Sequence, residues 1–219
     1  MAFTSFRFIV FLVLAAAAYF LTPKRCRWVT LFVANYVFYF ISGGRIFIYL
    51  LATTVTTYLA TVKIGDMAAK NKIAFNEAKA ELDKEGKKAW KAAFAKKKKR
   101  ILIPTLLFNF GILAVLKYSG FVTENLNLLF AKIGIGTELP VFRFLLPLGI
   151  SFYTFQSMGY LIDVYREKQE PERNFCKLAL FISFFPQIVQ GPISRFGTLA
   201  EQLFRANEFS YTRIKFGVQ

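Results

Sequence analysis

Long apolar runs, broken at intervals by clusters of Lys and Arg, constrain this chain more than any other feature. Of its 219 residues 55% are hydrophobic, and the mean hydropathy is +0.41. Soluble domains hold roughly 45–50% apolar residues. Phe alone contributes 27 residues. One core of this chain length cannot hide so much apolar surface without large exposed patches. A bilayer can cover it. The predicted class is all-α: a polytopic helical membrane protein with about five transmembrane helices plus a re-entrant segment.

A net charge of +16 raises the question of nucleic acid. The basic residues, however, border the apolar runs, where Lys and Arg orient spans and bind anionic headgroups. None of the aromatic-interleaved basic motifs of nucleic-acid modules is present. Membrane lipids are therefore expected partners and nucleic acid is not. Cys26 and Cys176 lie far apart in basic flanks assigned to the cytoplasm, so reduced thiols are expected. The chain contains no histidine, which removes the commonest general base and the commonest metal ligand. No metal site and no cofactor are predicted.

The first apolar run, residues 8–21, has one Arg before it (Arg7) and three basic residues soon after it, Lys24, Arg25 and Arg27. A signal peptide carries its charge in front, so a retained span with its N-terminus outside is expected. The second run, 28–42, ends at Gly43-Gly44. The third, 46–62, carries a threonine stripe (Thr53, Thr54, Thr56, Thr57, Thr61) suited to bonding the preceding turn or a neighbouring helix. Residues 63–100 turn to Ala, Lys and Glu and end in Lys96-Lys97-Lys98-Lys99-Arg100. Strong helix formers with sparse apolar residues predict helices lying along the headgroups, and the positive charge places this loop in the cytoplasm. Lys96, Lys97, Lys98, Lys99 and Arg100 are the candidate contacts to an acidic partner or anionic lipid. The fourth span is expected over 101–122 and the fifth over 142–165, with a weakly polar outer linker at 123–140. On this assignment the linkers alternate: 24–27, 63–100 and 166–177 inside, 43–44 and 123–140 outside. The expected location is the cell membrane, crossed several times.

The last apolar run, 178–193, breaks the alternation. It is short, Pro186, Gly191 and Pro192 interrupt it, and basic residues flank both ends. A segment that enters and returns fits, and broken backbone at membrane depth must be buried in protein or line a wet cavity. Gln187 and Gln190 share one side of a turn there, with Arg195 just beyond. Either they mark a pathway or substrate site, or they bond backbone that the prolines have freed. Upstream, Gln156 sits in an unusually polar stretch, and Asp163 and Arg166 are spaced to pair on one helical face. Those two anchor the inner end of the span or form a port for a charged donor.

The stretch LPLGISFYTFQSMGYLIDVYR, followed by ERNF and ALFISFFPQIVQGPISR, with a weaker LFNFGILAVLKYSGF upstream, resembles the membrane-bound O-acyltransferase family. Its similarity is greatest to the branch of the alginate O-acetylation and teichoic acid D-alanyl transfer proteins, over residues 107–195. The resemblance implies one membrane domain, of which 1–219 is the N-terminal part. It implies transfer of an acetyl or D-alanyl group from a cytoplasmic thioester donor, acyl-CoA or an acyl carrier protein, to a hydroxyl of an envelope polymer. It also implies a donor entrance or tunnel at Gln156, Asp163, Arg166, Pro186, Gln187, Gln190, Gly191, Pro192 and Arg195. The family's catalytic histidine belongs to a later helix, so the chain alone is expected to be inactive. Two other readings stay open: part of a transporter or channel, whose discontinuous helices the 178–193 segment resembles, and a non-catalytic membrane platform that recruits an acidic partner through its lysines.

Overall fold

A computed structural model of the chain describes residues 6–44, 47–80, 82–134, 137, 139–141, 146, 149–190, 194–205, 207, 208 and 210, with the backbone alone at 188–190. Every regular element among them is helical: α1 (Phe6–Leu21), α2 (Arg27–Gly43), α3 (Phe47–Ala78), α4 (Lys84–Lys132), α5 (Ile150–Tyr165), α6 (Phe175–Ser183), α7 (Phe185–Gln190) and α8 (Phe196–Phe204). Two of them, α3 and α4, are long and apolar enough to cross a membrane. Phe6, Leu107 and Phe121 are among many large apolar side chains left exposed, at 78%, 68% and 67%. That surface fits a membrane protein.

The change of composition at Lys63 and Arg100 does not end a helix. α3 runs 32 residues without interruption, about 48 Å, and α4 runs 49, about 74 Å. The expectation of separate helices lying along the headgroups is therefore corrected. The 63–100 segment is a helical hairpin that continues the two long apolar helices. Ala, Lys and Glu propagate a helix as well as Leu does, so the helix outlasts its apolar stretch. Asp83 starts α4 by accepting from the Gly86 amide at 2.7 Å. The α3–α4 pair is antiparallel and tied at two heights. Trp90 Nε1 donates to Asn71 Oδ1 at 3.0 Å in the hairpin. In the apolar part Asn109 Nδ2, fully buried, donates to Thr56 Oγ1 at 3.1 Å and to the Thr105 carbonyl at 2.9 Å. The threonine stripe otherwise bonds back along α3: Thr54 to Leu50, Thr56 to Ala52 and Thr61 to Thr57, at 2.8–2.9 Å.

Two further boundaries differ from expectation. α4 continues through the predicted outer linker to Lys132, after which Asn127 holds the returning chain through both its amide atoms on Leu139, at 2.9 and 2.8 Å. The fifth helix begins only at Ile150, behind Gly149 in a left-handed conformation (φ +69°). Residues 142–145, 147 and 148 of the predicted fifth span lie outside the described residues.

The three basic linkers gather at one end of the bundle. Lys177 Nζ lies 5.8 Å from the Trp28 ring at the start of α2. Arg173 pairs with Asp66 of α3 at 2.7 Å, and the Tyr58 hydroxyl donates to the Arg173 carbonyl at 2.8 Å. Pro171 lies so close to α3 that a Cβ on Gly65 would come within 2.3 Å of its Cγ. Gly65→Ala is thus expected to lift the 166–174 linker off α3 and speed trypsin cleavage at Lys168 in the detergent-solubilised protein. Unchanged cleavage would mean that the Asp66 and Tyr58 contacts hold the linker alone.

Candidate functional site

The most enclosed element is also one of the shortest. Every residue of α6 from Leu178 to Ser183 is 0% exposed, walled by α2, α3, α5 and α8. Asn174 caps its start by accepting from the Lys177 amide at 3.2 Å. Nine residues reach only about 14 Å, less than half of a ~30 Å hydrocarbon core. At Phe184 (φ −56°, ψ 100°) the helix stops, and α7 starts at Phe185.

Pro186 explains the break, since it has no N–H and its ring clashes with a helical carbonyl one turn back. Two amide side chains repair the damage. Asn35 of α2, 0% exposed, accepts the Phe185 N–H on Oδ1 at 2.8 Å, while its Nδ2 donates to Ser183 Oγ. Ser183 Oγ donates in turn to the Ala179 carbonyl at 2.6 Å. Gln156 of α5, 3% exposed, donates from Nε2 to the Phe181 carbonyl at 2.8 Å. Around the break, Phe185 stacks on Phe38 at 4.7 Å and meets Phe8 and Phe11 edge-on at 6.1 and 5.8 Å. An apolar groove of about 410 Å³ opens beside it, lined by Leu12, Ala16, Tyr19, Phe184, Pro186 and Leu203 among others. Grooves of this size hold small ligands or acyl chains.

The predicted site residues do not converge on one spot. Gln156 serves the α5–α6 contact. Pro186 makes the break and is exposed to the groove. Gln187 is half-buried and its Nε2 donates to Ser194 Oγ, spanning the turn toward α8. Gly191 and Pro192 lie outside the described residues, as does the side chain of Gln190. Arg195 is exposed at the residue before α8, which α8 uses only through its carbonyl. Asp163 and Arg166 sit at the basic end of α5 but form no ion pair among the described residues. Arg166 is the C-cap of α5, its N–H still bonded to the Ile162 carbonyl at 2.9 Å. Glu167 then turns left-handed (φ +59°) and sends its carboxylate to Lys98 at 2.5 Å.

That contact divides the basic run. Lys96, Lys97, Lys99 and Arg100 are exposed, whereas Lys98 is 7% exposed and faces inward. Its ammonium also donates to the Tyr165 carbonyl at 3.0 Å and lies over the rings of Phe94 and Tyr165 at 4.8 and 5.1 Å. The expectation that Lys98 contacts lipid or a partner is corrected: it ties α4 to the end of α5. Asn35 belongs to no motif that the sequence displays, and Ser183 stands unmarked within the 178–193 run. The available signal was one carboxamide in the apolar run of α2, a group that seldom stands in a membrane segment without a partner.

The chain aligns over 99% of its length with the probable alginate O-acetylase AlgI of Azotobacter vinelandii, at 32% identity, covering 38% of that protein. The probable alginate O-acetylase AlgI of Pseudomonas aeruginosa aligns over 99% of the chain at 31% identity, with 36% of its own length covered. The peptidoglycan O-acetyltransferase of Helicobacter pylori aligns over 53% of the chain at 30% identity, with 26% of its length covered. No protein-family profile matches the chain, and neither does any solved structure. These alignments, with the all-helical apolar build, relate the chain to parts of bacterial O-acetylases. The chain belongs to the membrane-bound O-acyltransferase family. It spans less than two fifths of the length of the alginate O-acetylases it matches.

Removing Asn35 tests the repaired break. Asn35→Leu leaves the Phe185 amide buried without an acceptor, an expected loss of about 1–3 kcal/mol, visible as a lowered Tm in detergent. Ser183→Ala, which spares that amide, is expected to lower Tm less. The reverse ranking would show that the hydroxyl holds the break.

Proposed function

We propose that the chain builds the donor-facing part of an enzyme that moves an acetyl or D-alanyl group from a cytoplasmic thioester, acyl-CoA or an acyl carrier protein, to a hydroxyl of a cell-envelope polymer. One observation carries the reading. O-acetylases align with the whole chain, including the enclosed, broken α6–α7 unit. A broken helix at membrane depth is tolerated only where protein or a cavity surrounds it, and α6 is so surrounded.

In this reading α6 and α7 are a re-entrant segment, entered from the basic end. The positive-inside rule assigns that end, with the 24–27, 63–100 and 166–177 linkers, to the cytoplasm, and the N-terminus to the outside. The groove beside Pro186 is the proposed passage for the acyl donor, and Gln187, Gln190, Gly191, Pro192 and Arg195, which follow Pro186 in sequence, remain candidates to serve it. Gln156 holds α6 from α5, and Asp163 and Arg166, at the basic end, are the proposed port for a charged donor. Lys96, Lys97, Lys99 and Arg100 are left to meet lipid headgroups or an acidic carrier. The chain's 219 residues include no histidine, and the buried Gln156 and Asn35 cannot take a proton from a hydroxyl. The general base is therefore proposed to come from residues outside these 219, and the 219-residue chain alone is expected to transfer nothing.

Deleting the gene should lower alkali-labile acyl ester on the envelope polymers of the host cell, measured as acetate or D-alanine released. Unchanged ester content would refute the acyl-transfer reading. Orientation is tested separately at Cys26, which is exposed. A membrane-impermeant maleimide should leave it unlabelled in intact cells and label it after permeabilisation. Labelling in intact cells would invert the topology.

A further inference from the structure

At the basic end, well away from the α6–α7 break, the hairpin and the 166–173 linker enclose a cleft of about 860 Å³. Its walls come from three segments: Gly65 to Phe75 of α3, Lys91 to Lys98 of α4, and Val164 to Arg173. The floor is apolar, with Ala68, Ala69, Phe75, Phe94 and Ala95. Five basic side chains line it against two carboxylates, Glu167 and Glu170. Two of the five are already spent: Lys98 on Glu167 and Arg173 on Asp66. Lys72, Lys91 and Lys168 remain, one from each wall. All three are exposed, and none makes an ion pair among the described residues.

Three exposed ammonium groups face one carboxylate, Glu170, that makes no ion pair among the described residues, so the recess keeps a net positive charge that a further anion would relieve. Lysine is a point-charge donor suited to phosphate oxygens. The apolar floor would receive an organic body, and the volume lies within the range of small-molecule sites. Height separates the possible sources of phosphate. Lys72 stands nine residues past Lys63, and Lys91 nine before Arg100, so both lie about 14 Å beyond the apolar boundary along their helices. A headgroup layer extends only about 5–8 Å from the hydrocarbon. We infer that this cleft binds a soluble organic phosphate, a monoester or diphosphate held by Lys72, Lys91 and Lys168 over the Phe75–Phe94 floor. The inference is independent of the acyl-transfer reading, because its readout is binding.

The test uses the whole gene product in phosphatidylcholine nanodiscs with pyrophosphate as the probe. Lysine acylation read by mass spectrometry should slow at Lys72, Lys91 and Lys168 when pyrophosphate is added, and not at Lys96 or Lys97. The double variant K72Q/K91Q should weaken pyrophosphate binding by about tenfold or more, while K96Q/K97Q leaves it unchanged. Both pairs are exposed and without ion partners, so neither change threatens folding. Equal weakening by the two pairs, or no protection at all, would overturn the inference. Protection that needs phosphatidylglycerol in the disc and ignores pyrophosphate would overturn the soluble source. Protection by an added acidic protein but not by pyrophosphate would replace the small-molecule site with a docking surface.

Discussion

In an unbroken helix the amide of Phe185 would bond to the carbonyl of Phe181, four residues back. Here that single bond is missing, and its two halves are satisfied separately, by Asn35 from α2 and Gln156 from α5. Each half buried without a partner would cost on the order of 1–3 kcal/mol. The two carboxamides thus do more than tolerate the proline at 186. They define where α2 and α5 must stand relative to α6, to within hydrogen-bond tolerance, and the packing of Phe8, Phe11, Phe38 and Phe185 follows from that placement. An element this short gains little helical stability of its own. Its order comes from its walls.

At the other end, a charged contact organises the hairpin. Lys98 is buried by the end of α5 and answered by a carboxylate, a carbonyl and two aromatic faces. An ammonium in such a place is costly unless paired. The left-handed turn at Glu167 delivers the carboxylate that pairs it. The hairpin therefore joins the bundle through α5 and the linker after it as well as through its own helices.

Much of this was legible in the sequence, and the particular residues show why. Apolar runs with basic ends marked the helices of the bundle, because burial in a bilayer leaves its signature in composition. The prolines and glycines at 186–192 marked the broken unit. Helix ends were harder to place: at Lys63 and Arg100 the surroundings change while the backbone's preference does not, so composition marks where an apolar stretch ends and not where a helix ends. The Asp163–Arg166 spacing allowed a pair that does not form among the described residues, because spacing sets which groups can meet and not which partner a flexible side chain takes. Asn35 was the least legible, since the amide it serves lies 150 positions away, and no local pattern encodes such a pairing. The family resemblance points to Gln156 and Gln187, yet their partners, a backbone carbonyl and a serine hydroxyl, emerge only with the fold.

The close approach of Pro171 to Gly65 has a mechanical consequence. Within eight residues of α3, the linker that leads into α6 is fastened by the Tyr58 hydroxyl, the Gly65 backbone and the Asp66 carboxylate. Little slack remains between Arg173 and the cap at Asn174. α6 therefore hangs from α3 as a rod clamped at its upper end, while Asn35 grips it at the lower. Sliding α3 along its axis would carry α6 with it as a plunger, and the strain would fall on the one unhelical residue between the two grips, Phe184.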